Sequence, residues 1–154
     1  MKLVLSHGGW DLPHPGHWQH FMDAKALGDI LVVTLTADAF FNKGPGRPIF
    51  NENERAFMIR ALRFVDHVEI CHEKTGLSMI HKYKPAIYAK GADYAVADKH
   101  GSLAMEREAV ESYGGKVVLT PHGGYSSTAI IERIRAGAVI EQIVEMRSDN
   151  PRYR

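Results

Sequence analysis

The sequence predicts an α/β fold, a doubly wound parallel sheet of about five strands with helices on both faces. Three observations predict it. Short β-branched or apolar runs alternate with helical patterns along the chain. A β-α-β-α order of this kind closes as right-handed crossovers onto a parallel sheet. The run Ile30-Leu31-Val32-Val33-Thr34-Leu35 reads as a strand buried on both faces. The chain has 154 residues, 45% of them hydrophobic, which suits one domain with one sizeable core.

Each element has its own signal. Residues 3–5 are the first strand. Residues 15–27 form a helix with Phe21, Met22, Ala24, Ala26 and Leu27 as apolar surface, and Gly28-Asp29 ends it. Residues 30–35 are the second strand. Residues 52–62 are a helix that Asn51 caps, with Glu54 three residues later in a capping-box pattern. The third strand covers 65–70, a short helix 77–83 and the fourth strand 86–89. A helix over 103–113 stops at Gly114-Gly115, followed by a fifth strand at 116–119 and a helix at 128–135. Residues 1–136 form the main domain. Residues 137–154 add a helix and tail to it, with Val139, Ile140, Ile143 and Val144 covering the core or meeting another subunit. Rossmann-like sheets of this kind bind ligands beyond the carboxyl ends of their strands, where strand order reverses. The loops after strands one, two, four and five are therefore the places for a site.

Composition narrows the function. With 19 Lys+Arg against 18 Asp+Glu the formal charge is +1. That gives no general pull toward nucleic acid or an anionic membrane. The single cysteine, Cys71, excludes an intrachain disulfide and a Cys-rich zinc site, and fits a reducing compartment. No apolar run approaches the ~20 residues of a membrane span. The first residues read as a strand and are too briefly apolar for a secretory signal. A cytoplasmic protein without membrane or nucleic-acid partners is expected.

The strongest local feature is Gly8-Gly9-Trp10-Asp11-Leu12-Pro13-His14-Pro15-Gly16-His17. Pro15 suits a first helical turn. It puts His14 at the helix entrance and His17 on the same side. A helix N-terminus offers free N–H groups and partial positive charge, so it attracts phosphate, and two imidazoles add directed donors. Gly8 and Gly9 leave the backbone open to a nucleotide, and Gly16 permits close approach. His14, His17 and His20 also recur every three residues, which raises zinc. Zinc helices more often use i,i+4 spacing with a carboxylate, so phosphate is the preferred reading. A nicotinamide dehydrogenase lacks its Gly-x-Gly-x-x-Gly after strand one. Two more loops stand out: residues 37–50, long and without its own structure, and residues 120–128, which place Gly123, Gly124, Ser126 and Ser127 before a helix.

These residues resemble a known family. His14-x-Gly16-His17 after a first strand is similar to the HxGH motif of the cytidylyltransferase-like nucleotidyltransferase superfamily. The resemblance spans about residues 2–136. It includes Ala24-Lys25-x-Leu27-Gly28-Asp29, Asn42-Lys43-Gly44-x-x-Arg47-Pro48-Ile49 and Glu54-Arg55. It continues through Arg63-Phe64-Val65-Asp66-x-Val68, Lys84-Pro85-x-Ile87-x-x-Lys90-Gly91-x-Asp93-Tyr94 and Ser126-Ser127-Thr128-x-Ile130-Ile131.

The resemblance implies transfer of a nucleotidyl group to a phosphorylated acceptor, with pyrophosphate leaving and no covalent enzyme intermediate. It implies that His14, His17 and Lys43 are catalytic. The nucleotide would meet Gly8, Gly9, Trp10, His14, His17, Lys90, Gly91, Asp93, Ser126, Ser127 and Thr128. The acceptor would meet Asp11, Arg47, Arg55, His122 and Tyr125. Arg55 has a dimer neighbour as its other candidate partner, and Asp11 a role in orienting its loop. Mg2+ or another divalent cation is expected with the triphosphate, its ligands unassigned, and a homodimer is expected.

Within the superfamily, the Lys-Gly-x-x-Arg-Pro and Lys-Gly-x-Asp-Tyr blocks resemble the adenylyltransferases of ADP-heptose synthesis. Glycerol-3-phosphate cytidylyltransferases share the HxGH and the Ser-Ser-Thr helix start. Their Arg-Thr-Glu-Gly-Ile stretch is here Pro121-His122-Gly123-Gly124-Tyr125. Gly9, Trp10 and Ala129 also stand where relatives carry other residues. The expected reaction joins NMP from ATP, with CTP as the alternative donor, to a sugar-phosphate or polyol-phosphate. A nucleotide-binding regulatory module without catalysis is the alternative of another class.

Overall fold

The computed structural model describes residues 1–92, 101–121 and 123–136. Asp93, His122 and the expected helix and tail at 137–154 lie outside the described residues.

The elements run β1 (Leu3–Gly8), α1 (Pro15–Ala26), β2 (Ile30–Thr36), a 3-10 turn (Asp38–Phe40), α2 (Glu52–Arg60) and β3 (His67–Cys71). They continue through α3 (Leu77–Tyr83), β4 (Ile87–Gly91), α4 (Ser102–Glu111), β5 (Lys116–Thr120) and α5 (Ser127–Arg135). All five strands are parallel in the order β3-β2-β1-β4-β5. The chain builds outward from β1 to β3, then crosses back to place β4 on the other side of β1. The strand order therefore reverses between β1 and β4, and the loops leaving their carboxyl ends open a crevice.

Period-two alternation sorts the strands onto two cores. Val4, Leu31, Val33, Leu35, Ile87 and Ala89 pack with Phe21 and Ala24 of α1 and with Ala56 and Ile59 of α2. Leu5, Val32 and Tyr88 pack with Met79 and Ile80 of α3 and with Val110 of α4. Helices thus cover both faces, as the unbroken apolar run of β2 requires. Burial of each large side chain such as Phe21 or Leu35 stabilises the fold by about 1.5–3 kcal/mol.

Local chemistry sets the ends. Asn51 accepts from the N–H groups of Asn53 and Glu54 while Glu54 accepts from Asn51 N, which completes the capping box of α2. β1 continues past its expected end at Leu5 because Ser6 and His7 find buried partners. β3 begins two residues later than expected. Val65 and Asp66 are instead a junction, where the Asp66 carboxylate accepts from Leu31 N at 2.7 Å and Lys25 Nζ at 2.6 Å. The helix expected from residue 128 starts at Ser127, capped by Ser126.

Candidate active site

Two connected cavities occupy the crevice. The first, about 350 Å³, lies on the α1 side, between the α1 N-terminus, the ends of β1 and β4, and the α5 N-terminus. The second, about 480 Å³, lies on the α3/α4 side, between the loop after β2, Lys74-Thr75 and the start of α4. They share His7, Gly8, Gly9, Lys43 and Lys90.

The first cavity is built from α1 outward. His14 is the N-cap of α1, with Pro15 at the first helical position. Its Nδ1 accepts from His17 N at 3.3 Å. An accepting Nδ1 carries no proton, so this bond places the ring proton of His14 on Nε2. His17 stacks on His14 at 3.6 Å between centroids, and Tyr125 stacks on His14 at 5.8 Å. Gly16 makes room for these rings, because a Cβ there would stand 3.0 Å from the His14 ring and 3.1 Å from Tyr125 Cβ.

His17 is neutral at pH 7. Burial above all, then its ionisable neighbours His14, Lys43 and His20, hold its pKa down at about 3. Its Nδ1 is buried with no hydrogen-bond partner among the described residues. The third histidine of the series is turned inward. His20 bonds Ser6 Oγ at 2.5 Å and Thr120 Oγ1 at 2.6 Å, tying α1 to β1 and β5. Among the described residues no group of three or more His, Cys, Asp or Glu side chains is placed to hold a metal.

Trp10 lines the cavity but is also a wedge beneath it. Its indole N–H donates to Thr34 O at 2.9 Å, and its ring packs on Phe21 at 4.6 Å and His20 at 5.5 Å. Gly8 and Gly9 have a packing role the sequence did not reveal. A Cβ on Gly8 would meet the Trp10 ring at 2.8 Å, and one on Gly9 the Phe41 ring at 2.6 Å. At the far wall Ser126 caps α5 through Ala129 N, and Ser127 Oγ donates to Leu12 O at 2.7 Å. The N-terminus of α5 is thereby fixed to the loop that carries His14. Thr128 is exposed in its first turn.

Gly8, Gly9, Trp10, His14, His17, Lys43, Lys90, Gly91, Tyr125, Ser126, Ser127 and Thr128 all border the first cavity. Asp11, Arg47 and Arg55, expected at the acceptor, do not. The Asp11 carboxylate accepts from Ile49 N at 2.8 Å, Phe50 N at 3.0 Å and Arg47 Nε at 3.1 Å, and Arg47 also donates to Asp11 O. Arg55 is fully buried. It donates to Phe50 O at 2.9 Å, Gly9 O at 2.7 Å, Thr36 O at 2.9 Å and the Asp38 carboxylate at 2.5 Å. These three side chains bind residues 37–50 to the end of β1, which sets the stem of the loop carrying Lys43.

Sequence reading missed His7, Thr120 and Glu106. His7 bonds Thr34 Oγ1 at 2.9 Å, and burial followed by the Lys90 charge holds its pKa at about 3. The available signal was polar residues continuing the alternation of buried strands. Together the cavity walls supply two helix N-termini, hydroxyls, imidazole and lysine ammonium groups. That donor set suits phosphate oxygens.

The Cytidylyltransferase-like family model matches residues 5–133. The bifunctional protein HldE of Geotalea uraniireducens is 42% identical over 143 residues, covering 91% of this chain and 28% of that protein. The HldE of a Helicobacter pylori strain is 40% identical over 136 residues, covering 87% of this chain and 28% of that protein. The chain thus spans less than a third of the length of these relatives. The crystal structure of the lipopolysaccharide core biosynthesis protein from Thermoplasma volcanium superposes with a TM-score of 0.63 at 29% identity, covering 82% of this chain and 99% of that one. A pantoate-beta-alanine ligase from Francisella tularensis superposes at 0.55 with 15% identity, over 94% of this chain and 67% of that one, and shares the fold. The family match across most of the chain, on a sheet whose crevice carries the HxGH residues, shows that this protein belongs to the Cytidylyltransferase-like family of nucleotidyltransferases.

Proposed function

We propose that this chain transfers the nucleotidyl group of an NTP, ATP before CTP, to the phosphate of a sugar-phosphate or polyol-phosphate. The observation that carries this reading is the pair of cavities joined along Gly8, Gly9, Lys43 and Lys90. The triphosphate occupies the first, with its phosphates at the N-termini of α1 and α5. The acceptor occupies the second, with its phosphate at the junction. An acceptor phosphate oxygen then bonds the α-phosphorus in line as the bond from that phosphorus to pyrophosphate breaks.

Catalysis here is positioning and charge stabilisation. His17 acts from a fixed neutral ring and His14 from its Nε2–H, and positive charge comes from Lys43, Lys90 and the helix ends. Asp11, Arg47 and Arg55 position the Lys43 loop, and Tyr125 holds the His14 ring. A divalent cation, Mg2+ in this reading, neutralises the triphosphate and arrives with it. In this reading Mg2+ is held mainly by phosphates and water. ATP is placed first because the Lys43-Gly44 and Lys90-Gly91 blocks resemble adenylyltransferases of ADP-heptose synthesis. A cytosolic homodimer completes the proposal. No helix among the described residues is long and apolar enough to cross a membrane.

The test is pyrophosphate release from ATP and CTP with Mg2+ against a panel of sugar-phosphates and polyol-phosphates, beside His17→Ala. The proposal expects release that depends on one acceptor class and is lost in the variant. Nucleotide binding without release for any pair would favour a regulatory module instead.

A further inference from the structure

Alternation along β4 sends Tyr88 and Lys90 to the α3/α4 side of the sheet. The Lys90 side chain is 4% exposed, yet it borders both cavities. Its ammonium donates to His7 O at 3.1 Å and stands 5.2 Å from the centroid of the Tyr88 ring. Glu106 of α4 is also beside it, with Oε2 at 3.6 Å. Glu106 is 2% exposed, and its Oε1 accepts from Gly76 N at 2.8 Å. Glu106 lies outside the short sequence motifs quoted for the resemblance, between Lys84–Tyr94 and Ser126–Ile131.

A buried ion pair is a poor device for stability, since desolvation offsets most of the attraction. An apolar pair would fold as well. The separation of 3.6 Å exceeds a hydrogen bond, so Glu106 acts on Lys90 mainly as a charge. The carbonyl, the aromatic face and the carboxylate together fix the ammonium where the two cavities meet.

We propose that Glu106 is a positioning residue for nucleotidyl transfer, holding the Lys90 ammonium against the oxygens of the attacking phosphate and the α-phosphate. This rests on the transfer reaction proposed above. Glu106 also opposes anions that approach Lys90. Removing its charge therefore leaves acceptor binding intact or tighter while the ammonium loses its fixed place. The signature is a fall in kcat with no rise in KM.

The experiment compares wild type, Glu106→Gln and Lys90→Met/Glu106→Gln in the full chain. Steady-state transfer is measured beside calorimetric titration of a hexose 1-phosphate and thermal unfolding. The double variant removes both charges of this buried pair together, which protects its folding. Glu106→Gln is expected to lose about tenfold in kcat with KM for acceptor unchanged or lower. The double variant is expected to lose about a further tenfold in kcat and to bind the hexose 1-phosphate at least ~10-fold more weakly than Glu106→Gln. Three results would overturn the proposal: wild-type kcat in either variant, a raised KM at unchanged kcat in Glu106→Gln, or a loss of activity matched by a loss of folded protein. If wild type transfers nothing, the proposed reaction falls. The titration still decides the inference, because equal hexose 1-phosphate affinity in Glu106→Gln and the double variant removes Lys90 from the phosphate site.

Discussion

Replacing Arg55 with methionine separates a structural role from a substrate-binding one. The guanidinium is fully buried and donates to three backbone carbonyls, those of Gly9, Thr36 and Phe50, and to the Asp38 carboxylate. Methionine matches much of the stem but none of the donors. Each buried carbonyl left unpaired costs about 1–3 kcal/mol. Asp38 is 38% exposed and recovers water in place of its partner. Some relaxation of the loop brings the sum to about 3–5 kcal/mol, a large share of the ~5–15 kcal/mol that holds a domain together. For a chain of this size the melting temperature should fall by roughly 10 °C. Urea unfolding measures the free energy, and titration of a nonhydrolysable NTP on the folded fraction measures the site. The expected result is a large stability loss, with weakened closure of the Lys43 loop as its consequence. A variant within about 1 kcal/mol of wild type and with a raised KM for acceptor would refute the reasoning and return Arg55 to the substrate.

Other consequences can be checked as directly. Burial holds the folded pKa values of His7 and His17 down at about 3, against 6.5 for an ordinary histidine. The unfolded chain therefore binds more protons between those values, so stability is fully present above about pH 6.5 and declines toward pH 3. Urea midpoints should fall between pH 7.5 and pH 5, and His17→Gln should shrink that fall; a flat profile would contradict the neutral, buried imidazoles. Gly9→Ala puts a Cβ 2.6 Å from the Phe41 ring, on whose face Arg55 lies at 5.0 Å. The expected cost is about 1–3 kcal/mol with a lower kcat as the Lys43 loop shifts, and unchanged melting and kcat would show that Phe41 yields freely.

The parts legible in the sequence were those whose determinants are local. The N-terminus of α1 is specified within His14-Pro15-Gly16-His17, and the capping box of α2 within Asn51 and Glu54. The β2 run showed its own burial through its apolar length. The illegible parts depend on partners far along the chain. Ser6-His7 continue the strand only because His20 and Thr34 are folded against them, and a polar alternation is the sole local trace of it. Arg55 reads as a functional cation because its four acceptors are spread from Gly9 to Phe50. Glu106, between Met105 and Arg107, resembles a solvated helix position and is buried only because Lys90 and Gly76 come to it. Asp66 lies inside the run expected as the third strand, yet β3 starts only after it, because its carboxylate meets Leu31 and Lys25.

The central claim is a direct attack at the junction of two cavities, with no covalent stage on the protein. Exchange of labelled pyrophosphate into NTP tests it, run with the nucleotide and Mg2+ alone and again with the acceptor and its nucleotidyl product present. Exchange is expected only in the second mixture, and is expected to be lost in His17→Ala. Exchange with nucleotide alone would reveal a nucleotidyl-enzyme intermediate and contradict the account.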